Sequence, residues 1–414
     1  MHDKCKRKEM VAIQPSFSKV TIHSAPFAKP SDEGFTATSW LFAALQLIFA
    51  QRNTKRKDEA YMKKVKIGLV GAGNIAKTHL AAYARIETVE IVSICDIDPQ
   101  NLEETAKQFG IEKTYLSETE MLKAEQLDAV DVCVWNCNHA SCSIEALNAG
   151  LHVLCEKPMA TNAVEAESML SAAKKNKKLL MIGFVMRFGD EAKIAMDFID
   201  KDYLGDIYYS KATYLRRHGA PGGWFVNKEL SAGGPVIDLG VHVIDLTRYL
   251  MGKPKPVSVF ASTADHLKNR PGLKTDVAWK PTSASDKDIY NVEDFGVALI
   301  KYEGGKTTLL ETSYSLNGEA VTKKELFGTK GGMNLNGNET KLYTEVNGFL
   351  ADVNLDTEHY KYGGDMFENE MRHFADCILN GTPCLAPAED GITIMKILDA
   401  IYESARTGHE VILK

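Results

Sequence analysis

Val65-Lys-Ile-Gly-Leu-Val-Gly71-Ala-Gly73-Asn-Ile-Ala76 decides the fold. Val65–Val70 is a short apolar run rich in β-branched residues, the pattern of a strand buried on both faces of a parallel sheet. Gly71-x-Gly73-x-x-Ala76 follows at once, and a helical stretch runs from there to about Arg85. Strand, glycine turn and helix in that order are the context of a dinucleotide-binding turn. The first glycine permits the tight turn, and the second lets a pyrophosphate approach the backbone. Small Ala76 lets helix and strand pack closely. Backbone N–H groups at the helix start, those of Asn74 and Ile75 among them, then face the anion.

The flanking sequence extends the pattern. Val89–Cys95 is a second apolar strand, ending at Asp96, 23 residues past Gly73 (96 − 73). A carboxylate there accepts hydrogen bonds from ribose hydroxyls and repels a 2′-phosphate, so NAD is favoured over NADP. A helix from about Pro99 to Phe109 follows, with proline in its first turn. Ala129–Trp135 reads as a strand, then a helix near Ser141–Ala149 is stopped by Gly150. Strand Leu151–Cys155, a helix capped by Asn162 and running to about Asn176, and strand Leu179–Phe184 complete the series. Repeated alternation with short connections predicts a Rossmann-type, doubly wound parallel α/β sheet over residues 62–185. Beyond it, Ile207–Tyr214, Pro256–Ala261, Phe295–Tyr302, Lys306–Ser315 and Lys323–Phe327 read as strands with hairpin-like spacing. Residues 186–414 therefore read as an α+β domain built on a large, mostly antiparallel sheet.

Composition narrows the function. The 414 residues leave room for two domains, and a formal net charge of −6 gives no basic excess to neutralise a phosphate backbone, which excludes nucleic acid as the expected partner. The eight cysteines form no Cys-x-x-Cys pair, and no paired His/Cys ligand spacing stands out. Reduced thiols packed in a cytoplasmic protein are the expectation, with no metal. Residues 1–61 differ from the rest, mixing basic clusters, scattered Pro and Ser, and one apolar run, Trp40–Ala50. That run falls well short of the ~20 residues needed to span a bilayer. The sequence restarts at Met62, so residues 1–61 read as an N-terminal extension, either a non-native upstream addition, a disordered tail or a peripheral helix.

Two further motifs carry chemistry. Glu156-Lys157-Pro158 follows the strand Leu151–Cys155. Ligands of a Rossmann sheet bind beyond the carboxyl ends of strands, which places Lys157 at the mouth; taken alone it also reads as a surface lysine. Ala232-Gly-Gly-Pro-Val-Ile-Asp238-Leu-Gly-Val-His242-Val-Ile-Asp245-Leu sets Asp238 and His242 at i, i+4, with Asp245 three residues on. On a helix these share a face, and their apolar neighbours imply burial, so the pair is either functional or a satisfied structural pair. In Arg216-Arg-His-Gly-Ala-Pro-Gly-Gly-Trp224-Phe, aromatic and guanidinium groups suit a sugar, or form a glycine-hinged loop with core aromatics.

Glycine turn, E-K-P and G-G-x-x-x-D-x-G-x-H-x-x-D-L in this order resemble the Gfo/Idh/MocA family, the glucose–fructose oxidoreductase and inositol dehydrogenase relatives. The likeness runs from Met62 to Lys414 and includes Pro387-Ala-Glu-Asp-Gly391. It implies that Glu156 and Lys157 contact the cofactor and that Lys157, Asp238 and His242 are catalytic. Asn136 and His139 match the segment beside the nicotinamide and ribose, although Val134-Trp135 replaces its Thr-Pro. Arg187 aligns with an arginine at the domain junction, there to contact substrate or to form a salt bridge. The resemblance also implies an open second sheet whose face forms a homodimer or homotetramer.

The expected activity is NAD-dependent hydride transfer at a secondary hydroxyl carbon of a sugar, polyol or sugar derivative. His242 suits the base, because an ordinary histidine titrates near neutrality. Lys157 suits stabilisation of the alkoxide, or is itself the base. Two other readings stand beside this one: a glycoside-processing enzyme that uses transient oxidation, and a non-catalytic NAD-binding regulator.

Overall fold

Six short apolar runs pair side by side because each is too apolar to leave a face in water. They are β1 (Val65–Val70), β2 (Val89–Cys95), β3 (Thr114–Tyr115), β4 (Ala129–Val132), β5 (His152–Glu156) and β6 (Leu180–Gly183). The computed structural model describes residues 63–413 except 268–269, 271–272, 274–279, 282, 286 and 358–364; the extension expected over 1–61 lies outside the described residues. All five pairings of the first sheet are parallel, in the order β3-β2-β1-β4-β5-β6. Every residue of β4 and β6 is buried, as the apolar runs require.

Five helices connect these strands: α1 (Asn74–Tyr83), α2 (Pro99–Phe109), α3 (Glu118–Ala124), α4 (His139–Asn148) and α5 (Ala163–Asn176). Their ends follow local chemistry. The Asp98 carboxylate caps α2 by accepting from the N–H groups of Gln100 and Asn101, and Gly110 ends it in the left-handed region. Asn162 caps α5 by accepting from the Glu165 N–H. The strand expected over Ala129–Trp135 is shorter: it stops at Val132, and a tight turn over Asn136–Asn138 leads into α4.

The second sheet has nine strands: β7 (Ile207–Leu215), β8 (Pro256–Ala264), β9 (Phe295–Tyr302), β10 (Thr307–Ser313), β11 (Val321–Gly328), β12 (Gly332–Leu335), β13 (Lys341–Val346), β14 (Phe349–Asn354) and β15 (Val411–Ile412). Their order is β14-β13-β12-β11-β7-β10-β9-β8-β15, antiparallel except for the β7–β10 pair. Register explains the two faces. The row Val259–Ile300–Thr308–Ser210–Leu326–Met333–Leu342 is buried. The next row brings Phe260 and Leu299 to the opposite, open side, 53 % and 40 % exposed. Helices α6 (Asp190–Asp200), α7 (Lys228–Ser231), α8 (Val241–Leu250), α9 (Met366–Asn380) and α10 (Ala388–Thr407) complete the fold. Of these, α8 packs on β7 and β10, and α10 on β8. Among the described residues no helix is long and apolar enough to cross a membrane.

Candidate active site

The glycine turn is dictated atom by atom. Gly71 has φ 102°, and a Cβ there would lie 2.3 Å from the Cys133 carbonyl oxygen. Its N–H donates to the Cys95 carbonyl at 2.8 Å, tying the turn to the end of β2. A Cβ on Gly73 would meet nothing within 4 Å, so this backbone faces open space. No side chain caps α1 and its first turn has no acidic residue. Its first N–H groups are thus left for an anionic ligand. Asp96 is held at the end of β2, its carboxylate accepting from the N–H groups of Ala72 (2.6 Å) and Asp98 (2.8 Å). Thr105, which sequence reasoning missed, braces the same turn by donating to the Ala72 carbonyl at 2.9 Å. Gly71, Gly73, Asn74, Ile75 and Asp96 line one wall of a cleft of about 590 Å³. Trp224 and Phe225, their rings 3.9 Å apart, line another, so the structure puts Trp224 against the glycine-turn cleft. Ala76 is buried behind it. A cleft with an open backbone cradle, a free helix start and a fixed carboxylate fits a dinucleotide.

The second centre is assembled from residues 81 positions apart. Lys157 sits just beyond the carboxyl end of β5, at the sheet edge that also carries the glycine turn. Its Nζ donates to the Asp238 carboxylate at 2.9 Å and to the Asp238 carbonyl at 3.1 Å. The Tyr314 hydroxyl donates to the other carboxylate oxygen at 2.8 Å. Burial is the largest influence and would raise the Asp238 pKa; Lys157, Arg216 and the Tyr314 hydroxyl together outweigh it and hold the carboxyl below its usual range. The backbone around Asp238 is equally constrained. A Cβ on Gly233 would lie 2.1 Å from the Tyr402 hydroxyl oxygen, and one on Gly234 2.1 Å from the Glu293 carbonyl. The Glu293 carboxylate accepts from the N–H groups of Gly234 (2.9 Å) and Val236 (3.2 Å), and from the Tyr402 hydroxyl (2.8 Å).

His242 departs from the expected arrangement. Asp238 spends both carboxylate oxygens on Lys157 and Tyr314, and His242 Nδ1 is enclosed without a hydrogen bond. Asp238 therefore holds the lysine and does not orient the imidazole. The stretch that joins them, Val236–Gly240, is a π-turn and not α-helix, so the same-face spacing of i, i+4 residues does not apply strictly there. Burial, followed by the Lys157 charge, pushes the His242 pKa down to about 3, so its ring is neutral near neutrality.

Other expected site residues are held by partners within the chain. Glu156 is buried: one oxygen lies 3.1 Å from His79 Nε2, and the other accepts from the Lys157 backbone N–H at 3.1 Å. His79 in turn contacts Asp131 at 2.8 Å. Asn136 donates to the Ser231 carbonyl at 2.7 Å, which ties the turn after β4 to α7. His139 is buried with its ring on the carbonyls of Pro158 (2.6 Å) and Val134 (3.2 Å). The structure does not bring Arg187 to the site. Its buried guanidinium donates twice to Asp245 (2.8 and 2.6 Å) and once to Asp390 (2.8 Å), so both Arg187 and Asp245 are spent on a salt bridge. Tyr314, Glu293 and Tyr402 were not found by sequence reasoning, because they reach this centre from other elements with no motif of their own.

The chain matches two family models: the oxidoreductase family, NAD-binding Rossmann fold, over residues 65–184, and the GFO/IDH/MocA C-terminal domain over residues 193–334. It is 32 % identical to the D-glucoside 3-dehydrogenase of Escherichia coli (strain K12), over 84 % of this chain and 97 % of that one. Among solved structures, the aldose-aldose oxidoreductase from Caulobacter crescentus complexed with glycerol superposes with a TM-score of 0.71 at 25 % identity, over 85 % of this chain and 100 % of that one. Levoglucosan dehydrogenase in complex with NADH and levoglucosan superposes with a TM-score of 0.71 over 84 % and 99 %, a likeness of fold at 24 % identity. With matches on both sheets and a relative aligned almost from end to end, this chain belongs to the Gfo/Idh/MocA family of NAD-binding oxidoreductases.

Proposed function

We propose that this chain transfers a hydride between NAD and a secondary hydroxyl carbon of a sugar or glycoside. The observation that carries the reading is the 2.9 Å Lys157–Asp238 pair beyond the carboxyl end of β5, with neutral His242 close enough to feel the Lys157 charge. The glycine turn and the N-terminus of α1 would hold the pyrophosphate, and Asp96 the ribose; its carboxylate disfavours a 2′-phosphate, so NAD is preferred over NADP. When bound, NAD supplies the hydride acceptor.

The protein supplies the proton chemistry. Lys157, whose Nζ donates to Asp238, acts by stabilising developing negative charge on the substrate oxygen. His242, half-buried with Nδ1 enclosed, takes the hydroxyl proton through Nε2; a ring pushed down to about 3 is a weak base, so the step depends on Lys157 stabilising the oxygen as the proton leaves. Asp238, held by Tyr314, keeps the lysine aimed. The names of the relatives favour a pyranose ring, with D-glucosides the first class to try. Exposed Tyr208, Phe260 and Leu299 on the second sheet support a homodimer or homotetramer through that sheet. The free cysteines support a reducing, cytoplasmic setting.

The test incubates the full chain and NAD with methyl glucosides, aldoses and inositols, following NADH absorbance and released aglycone together. The expected result is NADH formed in step with oxidised sugar. Aglycone release with NAD unchanged would replace this reading with glycoside cleavage by transient oxidation. Lys157→Ala and His242→Ala should each lower turnover by roughly two to four orders of magnitude. Near-normal rates in either would remove that residue from the reaction.

A further inference from the structure

Away from this centre, three soft donors converge at a point that the proposed reaction does not use. α9 carries His373 and Cys377 at i, i+4, one above the other on a single helix face. The helix ends at Gly381, whose φ of 71° turns the chain back and returns Cys384 to the same place. The ligand atoms of His373, Cys377 and Cys384 all lie within 4.8 Å of one another, and His373 Nε2 is 3.4 Å from Cys377 Sγ. In a tetrahedral zinc centre, with Zn–S and Zn–N bonds of about 2.3 and 2.05 Å, the N···S edge is about 3.6 Å. The donors therefore stand at separations that one ion can bridge.

The Leu385 N–H donates to His373 Nε2 at 3.0 Å, and metal binding exchanges that hydrogen bond for the metal–nitrogen bond. The imidazole packs 5.3 Å from the Phe188 ring, which sets its orientation. Both cysteines are free thiols, and all three residues are partly exposed, so an ion can reach them. A divalent cation with two thiolates and a neutral imidazole carries no net charge, which suits a half-buried place. The sequence shows no paired His/Cys spacing because one pair is His–Cys along a helix and the third donor returns after a turn.

We propose that His373, Cys377 and Cys384 bind one thiophilic d10 cation of the zinc class, with water in the fourth position. Binding expels two thiol protons to solvent and forms two metal–sulfur bonds and one metal–nitrogen bond; no oxidant or reductant takes part. The bound ion pins the segment after α9, whose Leu385 carbonyl accepts from Arg187 at 2.5 Å and whose Ala386 carbonyl accepts from the Ile182 N–H at 3.0 Å.

The experiment titrates the reduced, chelator-stripped full chain with Co²⁺ under nitrogen, then displaces the cobalt with Zn²⁺, and in parallel records Tm with Zn²⁺ alone. Thiolate-to-cobalt charge-transfer absorption should saturate near one equivalent, vanish on adding Zn²⁺, and be accompanied by a higher Tm in Zn²⁺. Cys377→Ser/Cys384→Ser should lose the absorption, while Cys142→Ser should keep it; NAD affinity reports that each variant is folded. Absence of a thiolate band with the unaltered chain overturns the proposal whether or not the variants fold. So does a band that survives in the double variant, or isolation of a Cys377–Cys384 disulfide that leaves no metal bound.

Discussion

Replacing Lys157 with methionine keeps much of the side chain's length and removes its charge. The Asp238 carboxylate, whose side chain is only 11 % exposed, then loses its cation. Breaking a buried ion pair by deleting one partner costs about 3–5 kcal/mol, mostly the penalty of the bare charge left behind. Two features put this case at the lower end: Tyr314 still donates to one oxygen, and Lys157 itself is 15 % exposed. The expected destabilisation is about 3 kcal/mol, read as a lower urea midpoint at unchanged m. Lys157→Met/Asp238→Asn removes the stranded charge and should recover all but about 1 kcal/mol, because a neutral pair of similar shape is close to an even exchange. Activity should not follow stability. Both variants lack the ammonium, so both should lose roughly 10²–10³ in kcat/KM once a substrate is in hand. The reasoning is refuted by a Lys157→Met midpoint equal to that of the unaltered protein, by a double variant as fragile as the single, or by recovery of turnover in the double variant.

Gly71→Ala places a methyl 2.3 Å from the Cys133 carbonyl at φ 102°. It should cost more than about 2 kcal/mol and abolish NAD binding by calorimetry; unaltered affinity would show that the turn does not contact the dinucleotide. Asp96→Ala removes the proposed ribose acceptor together with two bonds that shape the turn, so NAD affinity should fall about 10–100-fold, and an unchanged Kd would take Asp96 out of the site. His242, pushed down to about 3, is already deprotonated across the working range. Its proton-accepting form is therefore lost only as pH falls toward 3, and kcat/KM should show no acid limb from it near the ordinary histidine value of about 6.5. A unit-slope limb there that disappears in His242→Asn would contradict this. Gly234→Ala forces a methyl against the Glu293 carbonyl and should lower both Tm and turnover; a variant with normal Tm and turnover would show the close approach to be unimportant.

Much of the first sheet was legible because its strands are apolar on both faces and each is followed by a helix with its own punctuation. Asp98, Gly110, Asn162 and Gly150 end or begin elements by chemistry local to a few residues. The outer strands of the second sheet were not legible. β14 has no buried residue, with Phe349 and Leu350 75 % and 94 % exposed, so no alternation distinguishes it. At the site, the family resemblance implied that Lys157, Asp238 and His242 belong to one centre, but not the division of labour among them. Asp238 and His242 are joined through a π-turn, which leaves no periodicity signal. Arg187 gave no hint of its partners, because Asp245 and Asp390 lie 58 and 203 residues away.

The brace behind Asp238 has a consequence for how the molecule is made. Tyr402, which closes the hydrogen bonds of Glu293 and presses on Gly233, belongs to the last helix, α10. A nascent chain halted on the ribosome before residue 402 already holds the complete glycine turn and Lys157, yet lacks the hydroxyl that secures the opposite half of the site. A nonsense mutation before residue 402 removes the end of that helix together with β15, and should leave a product with its dinucleotide cradle built and its acid-bearing loop unsupported.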